Sequence, residues 1–175
     1  AHYEQQLDAA LKLYAQNGVD SVKTGYVTDG GAAQFLGKDG KIHFGYTDSQ
    51  EGVRHYQKVV EEAARYKIAV NTHEPVKDTG LRRTYPNWIS REGARGVEYN
   101  AWGEPPNTVD HEANIVFTRM LSGPLDYTPG ILSLEGKNKK PFNSTQAKQL
   151  ANFVLIYSPV VMAADLIEHY ERYPG

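Results

Sequence analysis

The chain has 175 residues, 40% hydrophobic and 23% charged, which suits one ordinary globular domain with a sizeable core. A formal net charge of −2 gives no electrostatic case for nucleic acid or an anionic membrane as partner, and no apolar run approaches the roughly 18 residues that span a bilayer. With no cysteine, disulfides and thiolate metal sites are excluded, while the redox compartment stays open.

Residues 2–17 predict an amphipathic helix with Tyr3, Leu7, Leu11 and Tyr14 on one face, stopped by Asn17-Gly18. A short strand follows over 21–26. Residues 28–48 are Gly-rich and polar; within them Lys38-Asp39-Gly40-Lys41 predicts a hairpin turn between Phe35-Leu36 and Ile42-His43-Phe44. A second helix covers 50–66, with Val53, Tyr56, Val60 and Ala64 turned inward, and leads into a strand at 67–71. Residues 74–93 read as irregular, holding Pro75, Gly80, Pro86 and Gly93, and 96–99 read as the next strand. Helix is expected over 109–121, with Val109, Ile115 or Val116, and Met120 supplying apolar positions. A strand over 124–127, a helix over 145–157 and a short apolar strand over 160–163 complete the series.

Helix and strand alternate throughout, which argues for parallel βα units. Chemistry-capable residues follow the strands: Lys23, then His73 and Glu74, then Glu98, Asp126 and Asp165. A barrel carries its active site at the C-terminal ends of its strands. A doubly wound sheet would do the same, but no Gly-rich phosphate turn opens a helix here. About five strands are visible where a barrel needs eight. The expectation is therefore α/β, a partial (β/α)8 TIM barrel over residues 1–175, with no interdomain linker.

The segments VNTHEP (70–75) and REGARGVEYN (91–100) place His73, Glu74, Glu92 and Glu98 around short strands. Carboxylates and a histidine at strand ends suit acid–base chemistry or a hard cation. Solvated surface carboxylates sit more often on helices, as Glu61 and Glu62 do. The 12 Tyr, 2 Trp and 16 Gly suit sugar-binding sites, though only weakly.

Six motifs in order, VKTGYV (22–27), YKIAVNTHEP (66–75), TGLRRTYPN (79–87), REGARGVEYN (91–100), FTRMLSGPLDYTPG (117–130) and YSPVVMAAD (157–165), resemble glycoside hydrolase family 97, the bacterial α-glucosidases and α-galactosidases. The resemblance covers essentially the whole chain. It implies a catalytic barrel between an N-terminal β-sandwich and a C-terminal β-domain, this chain supplying about strands four to eight. Retaining members carry a nucleophilic Asp at the end of the fourth strand, where this sequence has Gly25, and lack a Glu where it has Glu74. Gly25 with Glu74 resembles the inverting, α-glucosidase-like branch.

Inversion needs a protonated acid at the leaving oxygen and a carboxylate that activates water, roughly 6.5–9.5 Å apart. The resemblance assigns Glu98 as general acid and Glu74 as a general base, Lys23 and His73 to sugar hydroxyls, and Glu74, Glu92 and Glu98 to Ca²⁺. A second base glutamate and a further calcium ligand are expected upstream of Ala1. The implied activity is calcium-dependent, exo-acting hydrolysis of α-glucans or their oligosaccharides. The implied partners are that substrate and the remainder of the barrel with its flanking β-domains. The implied location is periplasmic or otherwise exported, with any signal peptide upstream, because AHYEQQLDAAL has neither a basic start nor an apolar core. The 175-residue piece alone is not expected to be a competent hydrolase.

Plainer readings stand beside these. Taken alone, Glu74 or Glu98 would be a salt-bridged barrel glutamate, Glu92 a helix-start carboxylate after Ser90, and Lys23 a structural ion pair with a neighbouring strand. Arg82, Arg83, Arg95, Asp126 and Asp165 read first as loop braces. Trp88 and Trp102 either stack on sugars or pack in the barrel wall. His43, His55 and His111 read as surface or loop residues, and the six histidines show no zinc-like pairing. The loop at 28–46 either tunes specificity or is a tolerated insertion. Two alternatives remain in function: a retaining α-galactosidase of the same family, and a non-catalytic carbohydrate-binding barrel fragment.

Overall fold

The computed structural model describes residues 2–26 and 32–174; residues 28–31 of the loop singled out above lie outside them. The chain forms two compact units, Ala1–Gly93 and Ala94–Gly175.

In the first unit, α1 (His2–Gln16) buries Leu7 and Leu11, with Tyr3 and Tyr14 packed beside them, as the periodicity predicts. β1 (Ser21–Thr24) follows. β2 (Ala32–Leu36) and β3 (Ile42–Tyr46) form the expected antiparallel hairpin. Its turn is held by Gly40 at φ 74° and by the Asp39 carboxylate, which accepts the Lys41 N–H at 3.1 Å. α2 (Gln50–Arg65) starts at Ser49, whose hydroxyl accepts the Gly52 N–H at 3.2 Å, worth about 1 kcal/mol as a cap. Its buried face is His55, Tyr56, Val59, Val60 and Ala63. Ala64, expected inward, is exposed, because the stripe follows the true helical period through Ala63.

β4 (Ala69–Thr72) and β5 (Trp88–Arg91) complete a three-stranded sheet in the order β1-β4-β5, parallel throughout. Parallel pairing is thus present, while β5 occupies a stretch expected to be irregular. It forms because Trp88 is buried, with its indole N–H donating to Thr72 Oγ1 at 2.8 Å. The core of this unit is Leu7, Leu11, Tyr56, Val59, Val60, Ala63, Ile68, Val70 and Trp88.

The second unit departs further from expectation. Residues 96–99 are not a strand: Glu98 begins the short helix α3 (Glu98–Trp102). α4 (His111–Phe117) and a 3₁₀ turn at Arg119–Ser122 fill the expected helical stretch, burying Ile115 but leaving Val109 exposed. Residues 124–127 and 160–163 are irregular; of the former, Leu125 makes a backbone contact with Tyr157, its N–H donating to the Tyr157 carbonyl at 3.1 Å. Short apolar runs do not specify a strand without a neighbour in register. α5 (Gln146–Leu155), capped by Thr145, matches the predicted helix, and α6 (Ile167–Glu171) ends the chain. Val97, Ile115, Leu125, Tyr127, Phe142 and Ile156 form the core here. Among the described residues no helix is long and apolar enough to cross a membrane.

Candidate functional site

Parallel register carries the three strands to one edge with their C-terminal ends together. The His73 N–H donates to the Thr24 carbonyl at 2.6 Å and the Glu92 N–H to the Thr72 carbonyl at 2.9 Å. Gly25, His73-Glu74 and Glu92 therefore emerge side by side, immediately after β1, β4 and β5. Among the described residues, His73, Glu74 and Glu92 are the one group of His, Asp or Glu in which ligand atoms from three side chains lie within 4.8 Å of one another. His73 Nδ1 stands 3.3 Å from Glu92 Oε2. All three side chains are half-buried, so each can face both protein and solvent.

Glu74 is the most constrained of them. Its backbone is left-handed at φ 48°, a conformation that costs a non-glycine residue about 1 kcal/mol. The Tyr56 hydroxyl donates to the Glu74 carbonyl at 2.6 Å, and the Tyr26 N–H donates to Glu74 Oε2 at 2.6 Å. The carboxylate lies over Gly25: a Cβ there would come within 2.7 Å of Glu74 Oε2 and 3.0 Å of the His73 Cβ. A side chain at position 25 would therefore have to displace the Glu74 carboxylate.

Lys23 sits in β1 opposite Asn71, exposed, and lines a cavity of 390 Å³ with Tyr3, Tyr14, Val22, Thr24, Gly25 and Tyr26. Beneath the site, Asp78 accepts the Gly80 N–H at 2.7 Å and pairs with Arg82 and with the buried Arg91. Burial alone would raise the Asp78 carboxyl, but the Gly80 hydrogen bond and the two arginines outweigh it and hold it below the usual 3.8. Arg91 also stacks on Trp88, 3.6 Å from the ring centroid. Arg82 thus braces a loop, and Trp88 packs in the core of the first unit.

Glu98 belongs to the second unit, half-buried in the first turn of α3, with its carboxylate folded back over Gly96. Around it, Arg95 lies over the Tyr99 ring at 4.2 Å and donates to the Pro105 carbonyl at 2.6 Å, and the Tyr99 and Trp102 rings are 4.6 Å apart. Trp102 is exposed. Asp165 accepts the Ser133 N–H at 2.8 Å and meets His169 at 2.6 Å, so Arg95 and Asp165 also brace loops.

Several residues beside the site were missed. His55, expected at the surface, is buried between Glu4 and Tyr26. His111 is half-buried, its Nε2 2.8 Å from the Arg95 carbonyl; only His43, 2.9 Å from Asp39, is at the surface as expected. The one available signal was Tyr26, an aromatic directly after the glycine at a strand end. Nothing local pairs Glu4 with His55.

Chemically, the cluster in the first unit offers two hard carboxylates, which suit a hard cation or proton transfer, and one imidazole that can hydrogen-bond hydroxyls.

The family model for glycoside hydrolase 97 matches residues 1–94, and the chain belongs to that family. It is 51% identical to a family 97 enzyme from Pseudoalteromonas sp. strain K8 solved with acarbose, with a TM-score of 0.90 over 99% of this chain and 27% of that one. A variant from the same strain, solved with panose, is 52% identical with a TM-score of 0.89 over 98% of this chain and 27% of that one. A retaining alpha-galactosidase of Bacteroides thetaiotaomicron is 31% identical over 98% of the chain and 24% of its own length. The chain thus spans about a quarter of the length of these relatives.

Proposed function

We propose that the protein carrying this chain hydrolyses α-glucosides with inversion at the anomeric carbon, and that the chain forms about strands four to eight of its (β/α)8 catalytic barrel. The observation that carries this reading is the packing of Glu74 over Gly25. An aspartate at position 25 would meet the Glu74 carboxylate at the distance where its own Cβ begins. A nucleophile there would have to displace the Glu74 carboxylate, and in this reading the chain holds the base. The relatives solved with acarbose and panose support a substrate built of α-linked glucose.

In this reading Glu98 donates its proton to the glycosidic oxygen as the bond breaks. Glu74 takes a proton from the water that attacks the opposite face. The Tyr26 N–H keeps one Glu74 oxygen engaged, so the carboxylate points in a single direction. Lys23 and His73 bind sugar hydroxyls. Glu74, Glu92 and Glu98, by the family resemblance, would hold Ca²⁺, which would supply positive charge to order the carboxylates. The enzyme works in the periplasm or another exported location, on oligosaccharides.

The alternative with a specific observation behind it is a retaining α-galactosidase, the activity named for the 31% identical relative. Gly25 disfavours it, since that route needs a carboxylate nucleophile close to the anomeric carbon. Proton NMR of the first sugar released from an α-glucoside by the full-length protein separates the two. β-Glucose is expected; α-anomer first, or a strong preference for α-galactosides, would overturn the proposal.

A further inference from the structure

A chain of buried polar groups runs from α1 to the candidate base. Glu4 is 8% exposed and His55 is 4% exposed, so neither carries its polar atoms there without partners. Glu4 Oε2 accepts the Leu36 N–H at 2.5 Å, and Glu4 Oε1 stands 2.8 Å from His55 Nδ1. A carboxylate only accepts, so Nδ1 carries the proton. Nε2 is then the acceptor in a neutral ring, and the Tyr26 hydroxyl, in contact with it, donates to it. Burial pushes the His55 imidazole down, against the pull of Glu4, in keeping with that neutral tautomer.

The Tyr26 ring is held on two sides as well, edge-on to His55 at 4.9 Å and tilted against Tyr56 at 5.8 Å. Its backbone N–H is the donor that holds Glu74 Oε2, while the Tyr56 hydroxyl holds the Glu74 carbonyl. Both ends of Glu74 are therefore tied to a pair of tyrosines wedged against one histidine. Where the Tyr26 peptide lies decides where the carboxylate points.

We propose that Tyr26, anchored through its hydroxyl by the His55–Glu4 pair, is a positioning residue that sets the direction of the Glu74 carboxylate. The inference rests on the reading of Glu74 as the base. Tyr26→Phe removes only the anchoring oxygen. In the full-length enzyme it should lower kcat by about tenfold or more, with KM little changed, as loss of an orienting partner does. The loss should be equal on maltose and on an activated aryl glucoside, since both need the water activated; an acid defect would spare the aryl glucoside.

Glu74→Gln in parallel tells the two failures apart. If Glu74→Gln is as active as wild type, the base reading fails; if Glu74→Gln is inactive but Tyr26→Phe has full kcat, only the positioning inference fails. A Tyr26→Phe loss confined to KM would make Tyr26 a substrate contact and overturn it too. Should Tyr26→Phe not fold, Glu4→Gln carries the test from the far end of the chain of hydrogen bonds: lowered kcat in a folded protein is expected. Full kcat in folded Glu4→Gln, or loss of fold in both variants, would make the chain a purely structural element.

Discussion

The two units satisfy their backbones in different ways. In the first, strands pair with strands, and the candidate residues hang from the ends of a parallel sheet. In the second, side chains do much of that work. Gln149, fully buried, accepts the Gly130 N–H at 3.1 Å and the Ile131 N–H at 3.3 Å. Asn107 donates to the Gly96 carbonyl at 2.9 Å, and the Tyr170 hydroxyl to that of Gly130 at 2.7 Å. A sheet fixes the direction of several residues at once. A loop clamped by single side chains fixes each residue separately, and is correspondingly fragile to one substitution.

The largest effect expected from this contrast is on catalysis. Glu98→Gln, on the loop-built side, should lower activity on maltose by about 10²–10⁴-fold while costing much less on aryl glucosides with good leaving groups. Steady-state kinetics on both substrates measures it; equal losses would move Glu98 from acid to a structural or metal role. Next in size is stability. Gln149→Leu strands two backbone N–H groups and removes a donor to Glu112 Oε1 at 3.2 Å, and should cost about 3 kcal/mol in denaturant melts. Val60→Ala in the sheet-bearing unit should cost about 2 kcal/mol. If the order is reversed, the contrast between the units is wrong.

Gly25→Ala should fold normally and lose activity about tenfold, because the added methyl displaces the Glu74 carboxylate rather than the sheet. Chelation should lower the activity of the full-length enzyme and added Ca²⁺ restore it; a metal-free, fully active protein would remove calcium from the proposal.

The smallest effect is on pH. Burial holds His55 below its ordinary 6.5, so the unfolded chain binds a proton that the folded one refuses. That contribution is complete above about pH 6.5 and declines as pH falls below it. In the second unit burial would raise the Asp165 carboxyl, but hydrogen bonds from His169, Ser133 and Leu166 outweigh it and hold it below 3.8. Its contribution is complete above that value and is lost only as pH falls beneath it. Between about pH 7 and pH 5, hydrogen exchange corrected for intrinsic rates should therefore quicken around Val60 before it does around Ile156.

The same contrast explains what could be read from the sequence. α1, α2 and the hairpin were legible because their apolar spacing and the Asp39-Gly40 turn act locally. Glu74 and Glu92 stand out through their motifs, and the parallel strands do bring them together. β5 was not, because Trp88-Ile89-Ser90-Arg91 lies between Pro86 and Gly93 and depends on β4 and on Asp78 for its partners. Residues 96–99, 124–127 and 160–163 carried strand-like composition into a unit whose loops are held by distant side chains. The Glu4–His55 contact joins α1 to α2 and leaves no mark on either helix alone.

The crowding between Gly25 and Glu74 also constrains how such a protein can change over generations. A side chain gained at position 25 while Glu74 remains would displace the carboxylate; Glu74 lost first would remove the base this chain supplies. Each single step weakens the enzyme on the mechanism proposed here, so the two positions are expected to change in close succession. A lineage of such a sequence leaves its stereochemical outcome only by way of a weakened intermediate.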